Sequence, residues 1–229
     1  MFKKLFKIIR WTVALLFASS LLAVVAYRFV PVYFTPLMFS RCFEQIGAGE
    51  PIRLRHHWIP LQRMPRSMPV AVIASEDQRF LQHHGFDYQA IEQAAKEHLE
   101  KGKRLRGGST ISQQTAKNVF LWQGRSWVRK GLEAYFTFLI EAIWGKQRIM
   151  EVYLNSIEMG NGIYGVQAVA EHNFGIDAYN LSRAECALIA ATLPNPRRFS
   201  SQYPSPYTRK RQRKIEHQMT FIPAFDMGR

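Results

Sequence analysis

From Trp11 to Tyr27 the chain holds no charged side chain, and only Thr12, Ser19 and Ser20 interrupt the apolar run. Carried on through Arg28 to Val30, the run reaches about twenty residues, the length a helix needs to cross the hydrocarbon core of a membrane. Arg28 stands near its end, where a long side chain can snorkel to the headgroups. Lys3, Lys4, Lys7 and Arg10 precede the run. The positive-inside rule then leaves residues 1–10 as a cytoplasmic basic tip, 11–30 as the transmembrane helix and 31–229 as a domain across the membrane. A cleaved signal peptide would have a shorter apolar core and a small-residue cleavage site, which the sequence after Tyr27 does not offer.

Beyond the anchor the pattern changes period. Residues 31–50 are apolar and aromatic (Val32, Tyr33, Phe34, Leu37, Met38, Phe39) and end Gly-rich at Gly47 and Gly49. Such a stretch can lie in a membrane interface or pack on the domain. Ile52, Leu54, His56 and Trp58 alternate with Arg53, Arg55 and His57, the one strand-like pattern, closed by Pro60 and Pro65. From there the period is helical. A helix is predicted from Ser67 and Pro69, a second over 88–101 ending at Gly102, and a third from near Thr110 after Gly107-Gly108. The longest is predicted over 126–144, where Val128, Leu132, Tyr135, Phe136, Leu139, Ile140 and Ile143 recur at helical spacing. Further helices fit 146–155, 161–173 and 182–193, the last stopped by Pro194 and Pro196. The fold class is mainly α.

Composition adds two constraints. Hydrophobic residues make up 47% and charged residues 21%, which is globular and not disordered. The formal net charge is +14, and the tip supplies only four of those units, so the domain itself is basic. A basic domain suits nucleic acid or anionic, phosphate-bearing lipid; a domain held outside the membrane favours the lipid. Cys42 and Cys186 have no metal-ligand spacing and make no disulfide framework; an oxidising compartment allows one disulfide between them, and two separate thiols are the plainer reading.

Four clusters could carry chemistry, and each has a plainer explanation. Glu76-Asp77 sits between Ile73 and Phe80 and is followed by His83, His84, Gly85 and Asp87. A carboxylate at the edge of an apolar face can serve as acid or base, and a solvated helix end looks the same. Gly108, Ser109 and Thr110 lead into Gln113, Gln114, Lys117 and Asn118, an anion-accepting helix start or an ordinary capped one, without P-loop spacing. Arg125, Arg129, Lys130 and Glu133 recur at helical spacing, as exposed charge pairs often do. Tyr164-Gly165 and Phe174-Gly175 read as turns.

Taken in order, AVIASEDQRFLQHHGFD, RGGSTISQQTAKN, RSWVRKGLE, IMEVYLNSIEMGNGIYGVQAVAEHNFG and LIAATLPNP resemble the motif series of glycosyltransferase family 51, in its monofunctional peptidoglycan glycosyltransferases. The resemblance spans about residues 67–198. It implies a lysozyme-like helical domain with a small membrane-associated lobe, for which 31–50 is the natural candidate. It implies polymerisation of lipid II into β-1,4-linked glycan, with inversion and release of undecaprenyl pyrophosphate. Glu76 matches the general base and Glu133 the second glutamate of the pattern. Ser109, Gln114, Lys117, Arg125 and Lys130, with Arg129 beside them, match the pyrophosphate-binding positions. Pyrophosphate is a good leaving group, so cationic stabilisation can replace the general acid a glycosidase needs. Asn173 departs from the pattern, which commonly has an aromatic there, and this bears on local packing.

A divalent cation, Mg2+ or Mn2+, assists some members of that family. No metal-ligand cluster stands out here, and Asp77 is the one weak candidate. The implied partners are lipid II, the nascent glycan strand, the membrane and other cell-wall synthesis or division proteins, with no nucleic acid. The implied location is the bacterial inner membrane, with the catalytic domain periplasmic. No S-x-x-K or K-T-G motif occurs, so cross-linking is not expected. The basic tail around Arg209, Lys210, Arg211, Arg213 and Lys214 either touches lipid headgroups or forms a solvated helix. Two other functions fit less well: a lytic glycosidase of the same fold, and a membrane-tethered scaffold that binds lipid II without reaction.

Overall fold

The computed structural model describes residues 2–101, 108–124 and 126–228; within the helix at 88–101 the side chains of 94, 95, 97, 98 and 101 are left aside. The first helix, α1 (Phe2–Phe29), is 28 residues long and runs unbroken through the basic tip, so the helical segment begins well before the apolar stretch. At about 1.5 Å per residue it is long and apolar enough to cross a membrane. Its final turns dock on the domain. Ser20 Oγ lies 2.8 Å from Tyr135 Oη, and Trp144 Nε1 donates to the Val24 carbonyl at 2.7 Å. Arg148 donates twice to the Tyr27 carbonyl, at 3.0 and 2.8 Å, closing the open carbonyl end of the helix with a cation. Arg28 does not extend alone toward headgroups: it donates to the Ile143 carbonyl.

Next comes α2 (Pro36–Gly47), started by Thr35 capping Met38 N–H with Pro36 in the first turn. Leu37, Met38 and Gln45 face inward, while Phe39, Phe43 and Ile46 share the outer face, with Phe43 70% exposed. Tyr33 and Phe34 are exposed beside them, and Phe34 stacks on Phe39. The stretch 31–50 therefore has two different faces. One face packs on the domain, and the other leaves a contiguous aromatic surface.

The alternation at 52–58 yields only β1 (Arg55–His56). Strand pairing stops there because Asn155 clips the chain at Ile59, accepting its N–H at 3.0 Å and donating to its carbonyl at 2.9 Å. The helices follow as α3 (Ser67–Glu76), α4 (Tyr88–Lys101), α5 (Ile111–Phe120), α6 (Trp127–Ile143) and α7 (Gly145–Ser156). Where 161–173 reads as one helix, the chain forms β2 (Glu158–Gly160) and β3 (Ile163–Tyr164) before α8 (Val166–Phe174). Gly162 makes the turn: its φ is +71°, and a Cβ there would lie 2.2 Å from the Arg53 carbonyl. Strand β3 sits between β1, parallel, and β2, antiparallel.

Then come α9 (Arg183–Thr192) and α10 (Pro206–Gln218). Helix α3 is the centre of the core, with every residue from Met68 to Ala74 buried. It packs on the Ala-rich α9, where Cys186 to Thr192 are all buried and small side chains allow close approach. Helix α10 closes the far side of α9, and Gln212 donates to the Ala184 carbonyl at 2.9 Å. Cys42 and Cys186 are both free thiols, as expected. Burial pushes the Cys186 thiol up to about 12, which leaves it inert.

Candidate active site

Glu76 is the last residue of α3, carried to the edge of the core by the buried turns before it. Its side chain is 15% exposed. Gln114 of α5 donates to Oε2 at 3.3 Å, and the same amide also reaches the Ser109 carbonyl at 3.2 Å. Ser75 Oγ donates to Oε1 at 3.1 Å and also approaches the Ala190 carbonyl of α9 at 3.3 Å. Arg211, from α10, stands 3.7 Å from Oε1 and donates to Ser75 Oγ at 3.1 Å. One oxygen is thus held by Ser75 and faces a guanidinium. The other, Oε2, meets only a long amide contact.

Asp77, the next residue, does something different. His83 Nδ1 accepts from Gly85 N–H at 3.2 Å, so the ring proton sits on Nε2 and is donated to Asp77, whose oxygens lie 2.9 and 3.0 Å away. Asp77 Oδ2 also accepts the Ile111 N–H at 3.0 Å, at the first turn of α5. The carboxylate is buried and both its oxygens are engaged. These surroundings do not fit a divalent cation. Among the described residues no group of three or more His, Cys, Asp or Glu side chains converges to hold one.

The start of α5 is likewise occupied. Thr110 caps Gln113 N–H while the Gln113 side chain accepts from Thr110 N–H, a closed capping box, and Asp77 takes the Ile111 donor. The backbone donors that an anion would use are therefore engaged, and an ordinary capped helix is what the Gly-Ser-Thr segment makes. What α5 presents instead is Lys117, two turns on.

Lys117 is half-buried opposite α6. Burial lowers its pKa; Glu133 opposes that, and Arg129 and Lys130 add to it. Glu133 is 3% exposed, pairs with Lys130 and lies 3.6 Å from Arg129. Arg129 Nε is buried without a hydrogen-bond partner among the described residues. Three cations thus crowd one buried carboxylate, an excess of positive charge that a polyanion would relieve. Arg125, expected in the same cluster, lies outside the described residues. Ser109 is half-buried just before the cap, its carbonyl turned to Gln114.

Three participants were not singled out in the sequence. Arg211 sits in a run of tail cations and is separated from Glu76 by 135 positions. Ser75 lies in the same motif as Glu76, beside the carboxylates that draw notice first. Tyr153 is fully buried in α7, and its hydroxyl meets Gln114 Oε1 at 3.3 Å; burial, then Glu76 and Asp77, push its pKa far up, so it stays a neutral hydrogen-bond donor. Of the five tail cations Arg211 alone turns inward, while Arg209, Lys210, Arg213 and Lys214 stay exposed on α10.

This is a mainly helical domain that sets one carboxylate beside a crowded cationic cluster, next to a membrane-length apolar helix. A family model described as transglycosylase matches residues 44–220. The chain belongs to this transglycosylase family, whose domain is lysozyme-like and helical, and it is a glycosyltransferase. It is similar to a biosynthetic peptidoglycan transglycosylase of Bacteroides thetaiotaomicron, 57% identical over 223 residues, 97% of this chain and 90% of that protein. Proteins of the same description from Pseudomonas aeruginosa and Caulobacter vibrioides are 50% and 52% identical, over 96% and 87% of this chain and 92% and 84% of their own.

Proposed function

We propose that this peptidoglycan glycosyltransferase polymerises lipid II into β-1,4-linked glycan strands. The observation that carries the reading is that Gln114 and Lys117 lie on one helix. The first touches Glu76 and the second faces the Glu133 cluster, so α5 ties a carboxylate to the cationic site. Glu76 acts as the general base: Oε2 takes the proton from the 4-hydroxyl of the acceptor GlcNAc. The freed oxygen attacks the anomeric carbon of the donor from the face opposite its pyrophosphate, and configuration inverts. As the bond to the pyrophosphate breaks, its charge grows beside Lys117, Arg129 and Lys130, with Arg125 assigned to the same role. Glu133 holds two of these cations in place from beneath, and Ser109 and Gln114 line the approach.

No protein cage is assigned to a divalent cation; Mg2+ or Mn2+ would come with the pyrophosphate it neutralises. The aromatic face of α2 is assigned to the membrane interface beside the anchor, where lipid-borne substrate arrives. Residues 1–10 are placed in the cytoplasm and the domain across the inner membrane, in the periplasm, from the basic tip that precedes the apolar run. Other cell-wall synthesis or division proteins are assigned as partners.

The test is polymerisation of labelled lipid II by the detergent-solubilised protein, with Glu76→Gln alongside. The parent should give long strands and the variant almost none, because an amide cannot accept the proton. If Glu76→Gln polymerises as well as the parent, Glu76 is not the base. Lipid II bound without any product from the parent would favour a scaffold, and soluble fragments from lipid-free glycan a lytic glycosidase.

A further inference from the structure

Helix α10 stops at Gln218, Met219 N–H donates back to the Ile215 carbonyl at 2.8 Å, and residues 220–228 then return across the domain. This tail segment is built into the fold. Met219, Phe225 and Met227 are buried and belong to the main core. Ala224 and Asp226 between them are exposed, the alternation of an extended chain laid on a surface. Asp226 holds it in place: Oδ2 accepts from Gln147 of α7 at 2.7 Å, and Oδ1 accepts Gly228 N–H at 2.9 Å.

What the segment reaches is Phe80, four residues after Glu76. The rings of Phe225 and Phe80 stack with centroids 6.4 Å apart and planes at 29°. Phe80 is fully buried, and two more groups grip its ring. His83 meets it edge-on at 6.3 Å, and Lys146 Nζ stands 4.5 Å from its centre. Lys146 pairs with Glu141 at 2.7 Å, and Glu141 accepts from Ser112 Oγ in the first turn of α5. Phe80 N–H donates to the Asp77 carbonyl at 3.0 Å, closing the turn that follows α3. The seat of the Phe80 ring therefore fixes where that turn lies, and Glu76 is the residue from which the turn departs.

Around Phe225 the fit is open on one side. A cleft of about 370 Å³ separates residues 224–226 from the α6–α7 junction, with Leu81, Trp144 and Lys146 in its lining. The stacked ring is thus the direct link from the tail to the turn. The cationic cluster is held separately, because α5 packs along α6 and α7 and Glu133 gathers Arg129 and Lys130. We propose that Phe225 is a positioning residue for the glycosyl transfer: by bracing Phe80 it holds the turn after α3, and so keeps Glu76 Oε2 aligned with the acceptor hydroxyl. This rests on the polymerase reading above, in which Glu76 is the base, and adds a tail residue to the base's support. A misplacement of about 1 Å can cost about 100-fold in rate, so loosening the turn acts on kcat and leaves binding in place.

The experiment uses the full-length detergent-solubilised protein, below the temperature at which any variant begins to unfold. Polymerisation of labelled lipid II gives kcat and KM. Lipid II capped on its 4-hydroxyl can act only as donor, and its binding gives a Kd. For Phe225→Ala kcat should fall about tenfold, with KM and the Kd of the capped lipid little changed. Phe225→Leu keeps apolar volume without the flat ring and should lie about threefold below the parent. Met227→Ala, which truncates a buried side chain of the same segment, should lower Tm and keep kcat. In a Phe80→Leu background Phe225→Ala should do little more, because its effect runs through that ring. An unchanged kcat in folded Phe225→Ala overturns the proposal. So does a KM or Kd that weakens as much as kcat, an equal kcat loss in Met227→Ala, or full additivity with Phe80→Leu. If Phe225→Ala does not fold, Phe225→Leu decides alone, and a kcat equal to the parent's overturns the proposal. A parent that yields no product overturns the polymerase reading, and this inference with it.

Discussion

Asp77 offers the sharpest separation between an architectural and a metal-binding carboxylate. In Asp77→Ala the Ile111 N–H loses its acceptor at the start of α5, and the His83 Nε2–H is left buried without one. A hydrogen bond to a charged group contributes about 1.5–3 kcal/mol, and stranding a buried donor costs about 1–3 kcal/mol. A loss of at least about 3 kcal/mol is therefore expected. For a chain of this size about 2–4 °C of Tm goes with each kcal/mol, which puts the midpoint at least about 6 °C lower. Asp77→Asn keeps one acceptor oxygen for two donors and should fall roughly midway. Thermal unfolding of the detergent-solubilised proteins, followed by circular dichroism, reads all three. The reasoning is refuted if Asp77→Ala melts within about 2 °C of the parent while its polymerisation acquires a new requirement for added Mg2+. That outcome would make Asp77 a metal ligand and its hydrogen bonds incidental.

Other outcomes follow from the same contacts. Because burial lowers the Lys117 pKa below 10.5, the free protein sheds that charge at lower pH than an ordinary lysine would. Binding of capped lipid II should weaken as pH rises through the window below 10.5, and Lys117→Arg, which stays charged, should flatten that profile. In the same window the unfolded chain binds more protons than the folded one, so the stability contributed at Lys117 rises with pH, opposite in sign to the binding effect. Gly165, with φ +81° and ψ 164°, occupies backbone space open to glycine alone, and an added Cβ would lie 2.6 Å from the Asn155 carbonyl. Gly165→Ala should therefore cost about 3 kcal/mol or more in chemical denaturation, against about 1 kcal/mol for Gly145→Ala, whose φ is +74° but whose Cβ direction is open.

Local rules reached as far as local causes extend. The Thr110 to Gln113 spacing announces a capping box, Ser182 to Glu185 announces another, and the helices that follow begin where those signals put them. The long apolar stripe of α6 is read as easily, because period and punctuation are written in consecutive residues. Strands β2 and β3 escaped for the converse reason. At three and two residues they are too short to show a period, and they exist because glycine turns fold them onto β1 from a hundred positions away.

The site divides along the same line. Glu76, Lys117 and Glu133 sit in motifs whose order alone singles them out, yet no spacing says that Asp77 is consumed by His83 and the α5 cap. Nor does any spacing say that a tail arginine comes back to the base. Arg209, Lys210, Arg211, Arg213 and Lys214 are equivalent as a run of charge. Only the packing of α10 across α9 turns one of them toward Ser75 and Glu76. Charge in a sequence is therefore a count, and its chemistry depends on which cations the fold leaves unpaired. By that measure Lys117, Arg129 and Lys130, gathered around Glu133 as their single buried carboxylate, are the cations left in excess.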